Sequence, residues 1–265
     1  MSDGLATALL DLQHLTERLR RECPWDREQT ARTIVPHTLE EAYEVADAAF
    51  GDSPDKLVDE LGDLLFQVYF LALLLDEQGH GGLEDVARKI HAKLVTRHPH
   101  VFGAAAAETP DQVRQNWEHI KRTVELRAGI FHDVPTTLPA LMQARKVQRR
   151  AAAVGFEYPD VAGALADLED ELRELEEELE GRADPPPERP PDERQAAEIG
   201  DVLFACVNVA RRLNVDPELE LRRATERFAA RVDRAAELAD GAGLRFADLT
   251  LSDQDRFYDL AKEAE

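Results

Sequence analysis

The sequence predicts an all-α protein. Ala and Leu dominate while aromatics make up only 6% of the chain. Apolar residues recur at three- and four-residue intervals over long stretches, as one face of a helix requires. No segment carries a series of Val/Ile/Thr-rich alternating runs split by turn residues, which a sheet would need. At 265 residues there is length for two ordinary domains, each with its own core.

In the first half, periodicity between Gly and Pro breaks predicts helices near 4–22, 36–50, 54–79, 82–97 and 109–127. In the second half it predicts helices near 138–153, 160–180, 192–213, 216–239 and 252–264. Gly129 to Pro139, with two prolines, separates a domain over 1–128 from one over 138–265, leaving 129–137 as linker. The proline-rich stretch 181–191 cannot be helical, because its prolines lack the donor and clash with the preceding turn. It reads as a flexible surface loop inside the second domain, where extra length costs little closure entropy.

Four boxes recur in the same order in both halves. Glu40-Glu41-x-x-Glu44 is followed by Glu60-x-x-Asp63 leading into Leu64-Leu65-Phe66, then Lys93-x-x-x-Arg97, then Trp117-x-x-x-Lys121. The second half repeats them as Asp170-Glu171-x-x-Glu174, Glu198-x-x-Asp201 leading into Val202-Leu203-Phe204, Arg227-x-x-x-Arg231, and Tyr258-x-x-x-Lys262. Each box alone is common on an acidic helix; the ordered set is what identifies a duplicated unit.

Residues three apart share a helix face, so Glu41 with Glu44, and Glu60 with Asp63, each project paired carboxylates in one direction. Two such helices facing each other gather four acids, which repel unless a cation compensates. Leu57, Val58, Leu61, Leu64, Leu65, Phe66, Val68, Tyr69 and Phe70 cover most of the second helix, so burial is expected, with Glu60, Asp63 and Gln67 as one polar row. Acids on a buried helix are metal-bound or paired with arginines. In the second half, Leu165, Leu168, Leu172, Leu175 and Leu179 are expected to form a core stripe flanked by Glu171 and Glu174. All-oxygen ligands favour a hard cation, Mg²⁺ or Mn²⁺, over zinc. Lys93 with Arg97, and Arg227 with Arg231, lie four apart and could grip phosphate oxygens or serve as ordinary surface cations. Trp117 and Tyr258 could stack on a base, with Lys121 and Lys262 one turn away, or cap a helical core. His98-Pro-His100 reads as a structural turn, and Glu77-x-x-His80, although spaced like a di-iron ligand pair, is interrupted by Gly79.

Lys plus Arg number 32 against 54 Asp plus Glu, a net charge of −22, which argues against coating nucleic acid with cations. Cys23 and Cys206 lie in different halves, form no disulfide framework and fit a reducing cytoplasm; Cys206, inside an apolar helix, is expected to pack. Met1 to Leu10 lacks a signal-peptide pattern. Leu64 to Leu75 is too short for a bilayer, which needs about 20 residues, so neither membrane nor nucleic acid is expected as a partner.

The stretches Cys23-Pro-Trp-Asp26, Leu39-Glu-Glu-Ala-Tyr-Glu-Val45, Glu60-Leu-Gly-Asp-Leu-Leu-Phe66, Lys93-Leu-x-x-Arg-His-Pro-His-Val-Phe102 and Val154-Gly-Phe156 resemble the MazG family of nucleoside triphosphate pyrophosphohydrolases. The resemblance spans nearly the whole chain outside the proline-rich loop. It implies tandem helical bundles that form homodimers, and hydrolysis of nucleoside triphosphates or deoxynucleoside triphosphates to the monophosphate and pyrophosphate. It also implies a housekeeping role toward surplus or non-canonical nucleotides. The implied Mg²⁺ ligands and catalytic acids are Glu41, Glu44, Glu60, Asp63, Glu171, Glu174, Glu198 and Asp201. Glu40, Lys93, Arg97, Trp117, Lys121, Asp170, Arg227, Arg231, Tyr258 and Lys262 are implied to bind substrate. The second half departs from the pattern at Asp170, Arg227 and Tyr258. The competing reading is a catalytically degenerate nucleotide-binding module with a regulatory or interaction role; complete acid sets in both halves favour the hydrolase.

Overall fold

The computed structural model describes residues 3–103, 107, 109, 112–113, 116–117, 120, 129–132, 134–181 and 190–264, and all regular structure among them is helical. The chain divides into two compact units, 1–124 and 125–265.

The first unit contains α1 (Asp3–Glu22), α2 (Pro24–Glu28), α3 (Ala31–Phe50), α4 (Pro54–Glu77), α5 (Leu83–Arg97) and α6 (Pro99–Phe102). A short link at 51–53 turns the chain so that α3 and α4 pack side by side and antiparallel, with Ile34 near the start of α3 against Phe70 and Leu74 near the end of α4. Helices α1 and α5 both rest on α4. The second unit contains α7 (Ala140–Ala152), α8 (Val161–Leu179), α9 (Glu193–Arg212), α10 (Pro217–Gly241), a 3₁₀ turn (Phe246–Asp248) and α11 (Leu251–Glu263). Its α8–α9 hairpin repeats α3–α4, α7 lies on α9, and α10 closes on α11 over Ala235, Ala239, Phe257 and Ala261.

Helix α3 starts five residues before the expected position 36. Thr30 supplies the reason: its Oγ1 accepts from the Thr33 backbone N–H at 3.3 Å while its own N–H donates to Thr33 Oγ1 at 2.8 Å. This reciprocal cap starts the helix and leaves Pro36 inside it. The short α2, α6 and 3₁₀ elements were not expected. The helix expected over 109–127 lies mostly outside the described residues, although Thr109 and Gln112 cap each other and 112–113, 116–117 and 120 are helical. Of the expected loop 181–191, residues 182–189 lie outside the described set.

Both hairpins close along one register. On α3 the half-buried or buried seam is Ile34, Thr38, Glu41, Val45 and Ala48; on α8 it is Ala164, Leu168, Glu171, Leu175 and Glu178. Facing them are Leu57, Glu60, Leu64, Gln67, Leu71 and Leu74 on α4, and Gln195, Glu198, Val202, Ala205, Val209 and Arg212 on α9. The spacing i, i+4, i+7, i+11 is that of a packed helix stripe, and an acid sits inside each stripe.

The apolar residues outside the seam are less covered than expected. On α4, Val58, Leu61, Leu65 and Val68 are 67%, 47%, 37% and 39% exposed, and Ile199, Leu203 and Phe204 on α9 are likewise open. The leucine stripe of α8 is corrected as well: Leu165, Leu172 and Leu179 are exposed because the face that packs on α9 is rotated toward Ala164. Cys206 is exposed for the same reason, on the uncovered side of α9.

A half-buried guanidinium ties the first unit together. Arg20 Nε and Nη2 donate to the two carboxylate oxygens of Glu77, both at 2.9 Å, and Nη1 donates to the carbonyls of Asp26 at 2.6 Å and Gln29 at 3.0 Å. One side chain thereby joins α1, the loop around α2 and the end of α4, and it occupies the acid of the Glu77-x-x-His80 motif. In the second unit Arg211 plays the corresponding part, donating to Glu157 at 2.8 Å and to Asn208 Oδ1 at 2.6 Å.

Arg20's hydrogen bonds hold the Glu77 carboxyl below its ordinary value of 4.5, against a partial loss of hydration. A depressed folded pKa means stability complete above the unfolded value and lost as pH falls through the folded one. Both tryptophans, Trp25 and Trp117, belong to the first unit, so their fluorescence isolates its unfolding. By urea titration followed this way, Glu77→Gln is expected to cost about 1 kcal/mol at neutral pH. The gap to the parent should narrow as pH falls below the ordinary glutamate value of 4.5; a gap constant with pH would contradict the ion-pair account.

Candidate functional site

Each hairpin seam places acids from two helices against one another. One carboxylate oxygen from each of Glu41, Glu60 and Asp63 lies within 4.8 Å of the others, and the same holds for Glu171, Glu198 and Asp201. In both triads the first two residues are half-buried and the aspartate is exposed. Glu44 joins the first group through a hydrogen bond between its carboxyl and that of Glu60, and Glu174 lies close enough to Glu171 to act on it electrostatically. The antiparallel packing accounts for the convergence: the seam position of the first helix, Glu41 or Glu171, meets a seam position and its i+3 neighbour on the second.

The electrostatics record the crowding. Loss of hydration and then the carboxylates of Asp63, Glu44, Glu60 and Glu40 push Glu41 above the ordinary carboxylate range. Glu171 is raised by loss of hydration and by Asp201, Glu174, Asp167 and Glu198, in that order. Glu60 is raised by loss of hydration, its hydrogen bond to Glu44 and that residue's charge, with Lys56 opposing. Carboxylates gathered this closely repel one another, so the first group as folded is short of positive charge. The donor set is all oxygen and open on the aspartate side, which suits a hard divalent cation. One turn beyond Asp63, the Oε1 of buried Gln67 makes no hydrogen bond.

The other two boxes also come together within each unit. At the end of α5, the ring of His98, next to Arg97, meets Trp117 edge-on at 5.1 Å, and His98 Nδ1 bonds to the Leu94 carbonyl at 2.6 Å, a structural role for that histidine. The Trp117 indole N–H is buried and has no acceptor among the described residues. In the second unit Phe228, next to Arg227, lies 5.9 Å from Tyr258, and Lys262 Nζ sits 4.9 Å above the Tyr258 ring. Tyr258 also packs on the α10–α11 core, the second of the two roles considered for it. Arg97 and Arg231 are half-buried, whereas Lys93 and Arg227 are exposed and form no ion pair among the described residues. Lys121 lies outside the described residues. Glu40 and Asp170 sit off the seam, Glu40 3.6 Å from His37 and Asp170 paired with Arg173 at 2.8 Å.

Sequence reasoning missed a pair of residues beside each acid group. The Tyr158 hydroxyl donates to Asp167 at 2.6 Å, and Trp25 meets His37 edge-on at 5.9 Å. The available signal was positional: Asp167 and His37 each stand four residues before the first seam acid.

The sequence model of the MazG nucleotide pyrophosphohydrolase domain matches residues 29–102. The chain is 38% identical to the nucleoside triphosphate pyrophosphohydrolase of Escherichia coli K12, with 95% of each chain covered. It is 37% identical to the nucleoside triphosphate pyrophosphohydrolase/pyrophosphatase MazG of Thermotoga maritima, covering 95% of this chain and 94% of that one. A Bacillus subtilis protein of uncharacterized role, YabN, is 36% identical over 92% of this chain and 49% of its own length.

A carboxyl whose folded pKa is raised destabilises the fold above that pKa and ceases to do so as pH falls through it. In the presence of a chelator at neutral pH, Glu41→Gln and Glu171→Gln are therefore each expected to raise stability by roughly 0.5 kcal/mol, the scale of one or two relieved like-charge pairs. Added Mg²⁺ should reverse the order, because the parent then gains a bound cation that the variant holds less well. Urea denaturation with and without the cation reads both effects; variants less stable than the parent in chelator would contradict them.

Proposed function

Because the chain belongs to the MazG family of nucleotide pyrophosphohydrolases, we propose that it hydrolyses nucleoside triphosphates to the monophosphate and pyrophosphate with Mg²⁺, or Mn²⁺, held at both acid groups. The observation that carries the reading is the pair of seam triads, Glu41, Glu60 and Asp63, and Glu171, Glu198 and Asp201, each with a further glutamate at hand. Glu44 and Glu174 complete the two ligand sets. When bound, the cation supplies neutralisation of the triphosphate oxygens and acidification of a water. One carboxylate oxygen in each set takes the proton of the attacking water. The water oxygen bonds to the α-phosphorus, the α–β bridging bond breaks, and pyrophosphate leaves with the bridging oxygen.

Lys93, Arg97 and Lys121 in the first unit, and Arg227, Arg231 and Lys262 in the second, hold the departing phosphates. Trp117 and Tyr258 offer ring faces to the base, and Glu40 and Asp170 border the acid groups. Each half, 1–128 and 138–265, is one catalytic domain of a cytoplasmic enzyme that clears surplus or non-canonical nucleotides. The net charge of −22 favours a small metal-chelated anion over nucleic acid as the substrate. No helix among the described residues is long and apolar enough to cross a membrane.

The uncovered apolar surfaces support a homodimer. Helix α5 has no buried residue, and Val86, Ile90 and Leu94 on it, with Val101 and Phe102 on α6, stand open. With the exposed stripe of α4 they form more apolar surface than single scattered residues account for. Sedimentation at micromolar concentration should show twice the chain mass, and Leu61→Glu should shift it toward the monomer; a monomeric parent would contradict the dimer.

Activity is tested by resolving the products of a nucleoside triphosphate panel with Mg²⁺. Monophosphate and pyrophosphate in equal amounts are expected, and orthophosphate or no turnover would contradict the reading. Glu60→Ala and Glu198→Ala should each remove only their own unit's share, by at least about 100-fold for that unit. One variant abolishing all activity and the other none would assign the enzyme to a single half.

A further inference from the structure

The two acid groups share a register but not their surroundings. Four residues before the seam glutamate, on the same helix face, the second unit carries Asp167 and the first carries His37. An aromatic residue from the segment before each acidic helix, Trp25 on α2 and Tyr158 in the loop before α8, meets that position. In the second unit the Tyr158 hydroxyl donates to Asp167 Oδ1 at 2.6 Å, while in the first Trp25 meets the His37 ring edge-on at 5.9 Å and His37 Nδ1 faces Glu40 at 3.6 Å. The tyrosine is seated by the backbone: Gly163, whose N–H is capped by Asp160 at 2.9 Å, lies under the ring, and a side chain there would begin 3.1 Å from Tyr158 Cβ. The same slot therefore holds a fixed carboxylate in one unit and an imidazole, which is never negative, in the other.

Resting on the reading of the acid groups as metal centres, we infer that Asp167, oriented by Tyr158, is a positioning residue that makes the second centre the tighter of the two for divalent cations. Asp167 lies outside the triad whose oxygens converge within 4.8 Å, so it acts through its field and is not a ligand. Its charge does reach the seam, since it is among the causes that raise Glu171. Side chains four apart on a helix are about 6 Å apart at Cβ. A unit negative charge at such a distance from a divalent cation, in a largely aqueous setting, corresponds to roughly a tenfold change in affinity before screening by salt. His37 supplies no such gain, and where protonated it opposes binding; Glu40, whose charge also bears on Glu41, is offset by His37 at 3.6 Å. The consequence for function is an order of filling: at limiting metal the second unit is loaded first.

Mn²⁺ binding to the whole chain, read from the free-ion electron paramagnetic resonance signal, tests this. With Glu41 and Glu60 both changed to Gln only the second centre remains, and with Glu171 and Glu198 both changed to Gln only the first. The second centre is expected to bind roughly tenfold more tightly at low salt. Asp167→Asn, which keeps an acceptor for Tyr158 and removes only charge, should erase the difference, and Tyr158→Phe should lose part of it. His37→Asp should tighten the first centre. The effect of Asp167→Asn should shrink as ionic strength rises, which a merely structural defect would not do. Equal affinities in the two backgrounds, or an Asp167→Asn protein that binds like its parent, overturns the inference while leaving the metal centres standing. No Mn²⁺ binding in either background overturns the metal-centre reading and the inference together.

Discussion

Placing acids inside the seam of an antiparallel helical hairpin is the constraint on which the rest of the structure depends. Glu41 and Glu60, and in the second unit Glu171 and Glu198, occupy stripe positions that an ordinary hairpin would give to leucine or valine. Those positions lose part of their hydration and face each other at a few ångströms, so the folded state carries a repulsion that nothing within the seam relieves. A divalent cation placed among these oxygens would relieve that repulsion. The same arrangement is chemically suited to a triphosphate, which arrives with charge of its own and shares it with a hard metal.

The remainder of each unit reinforces a hairpin weakened in this way. Apolar seam residues on either side of the acids, Ile34 and Ala48 in the first unit and Ala164 in the second, are nearly fully buried. A guanidinium then clamps the far end of each second helix: Arg20 on Glu77 at the end of α4, and Arg211 near the end of α9 on Glu157. These clamps sit away from the acid groups, so positive charge that could have neutralised the carboxylates internally is spent elsewhere. Among the described residues, Lys56 is the cation that lowers Glu60. Both acid groups thus keep an excess of negative charge, which is what the proposed cation would neutralise.

Much of this was legible in the residues. The i, i+3 acid pairs, the short Gly-containing links between helices and the ordered repetition of four boxes are local signals, and the helical pattern translates them directly into faces. Burial was harder to read, because periodicity says which face is apolar but not whether this chain covers it. Val58, Leu61, Leu65 and Val68 were expected inside and lie open, and Cys206 with them. The start of α3 was hidden because Pro36 resembles a helix start, whereas the reciprocal Thr30–Thr33 cap is a weaker pattern in the sequence. The Tyr158–Asp167 bond spans nine residues and a loop, so no helical periodicity announces it.

The most direct measurement is anomalous diffraction from crystals of the chain grown or soaked in Mn²⁺. Anomalous peaks bounded by Glu41, Glu44, Glu60 and Asp63, and by Glu171, Glu174, Glu198 and Asp201, are the expected result. Crystals in which both acid groups stay free of anomalous density at millimolar Mn²⁺, or in which the metal settles elsewhere, would contradict the account.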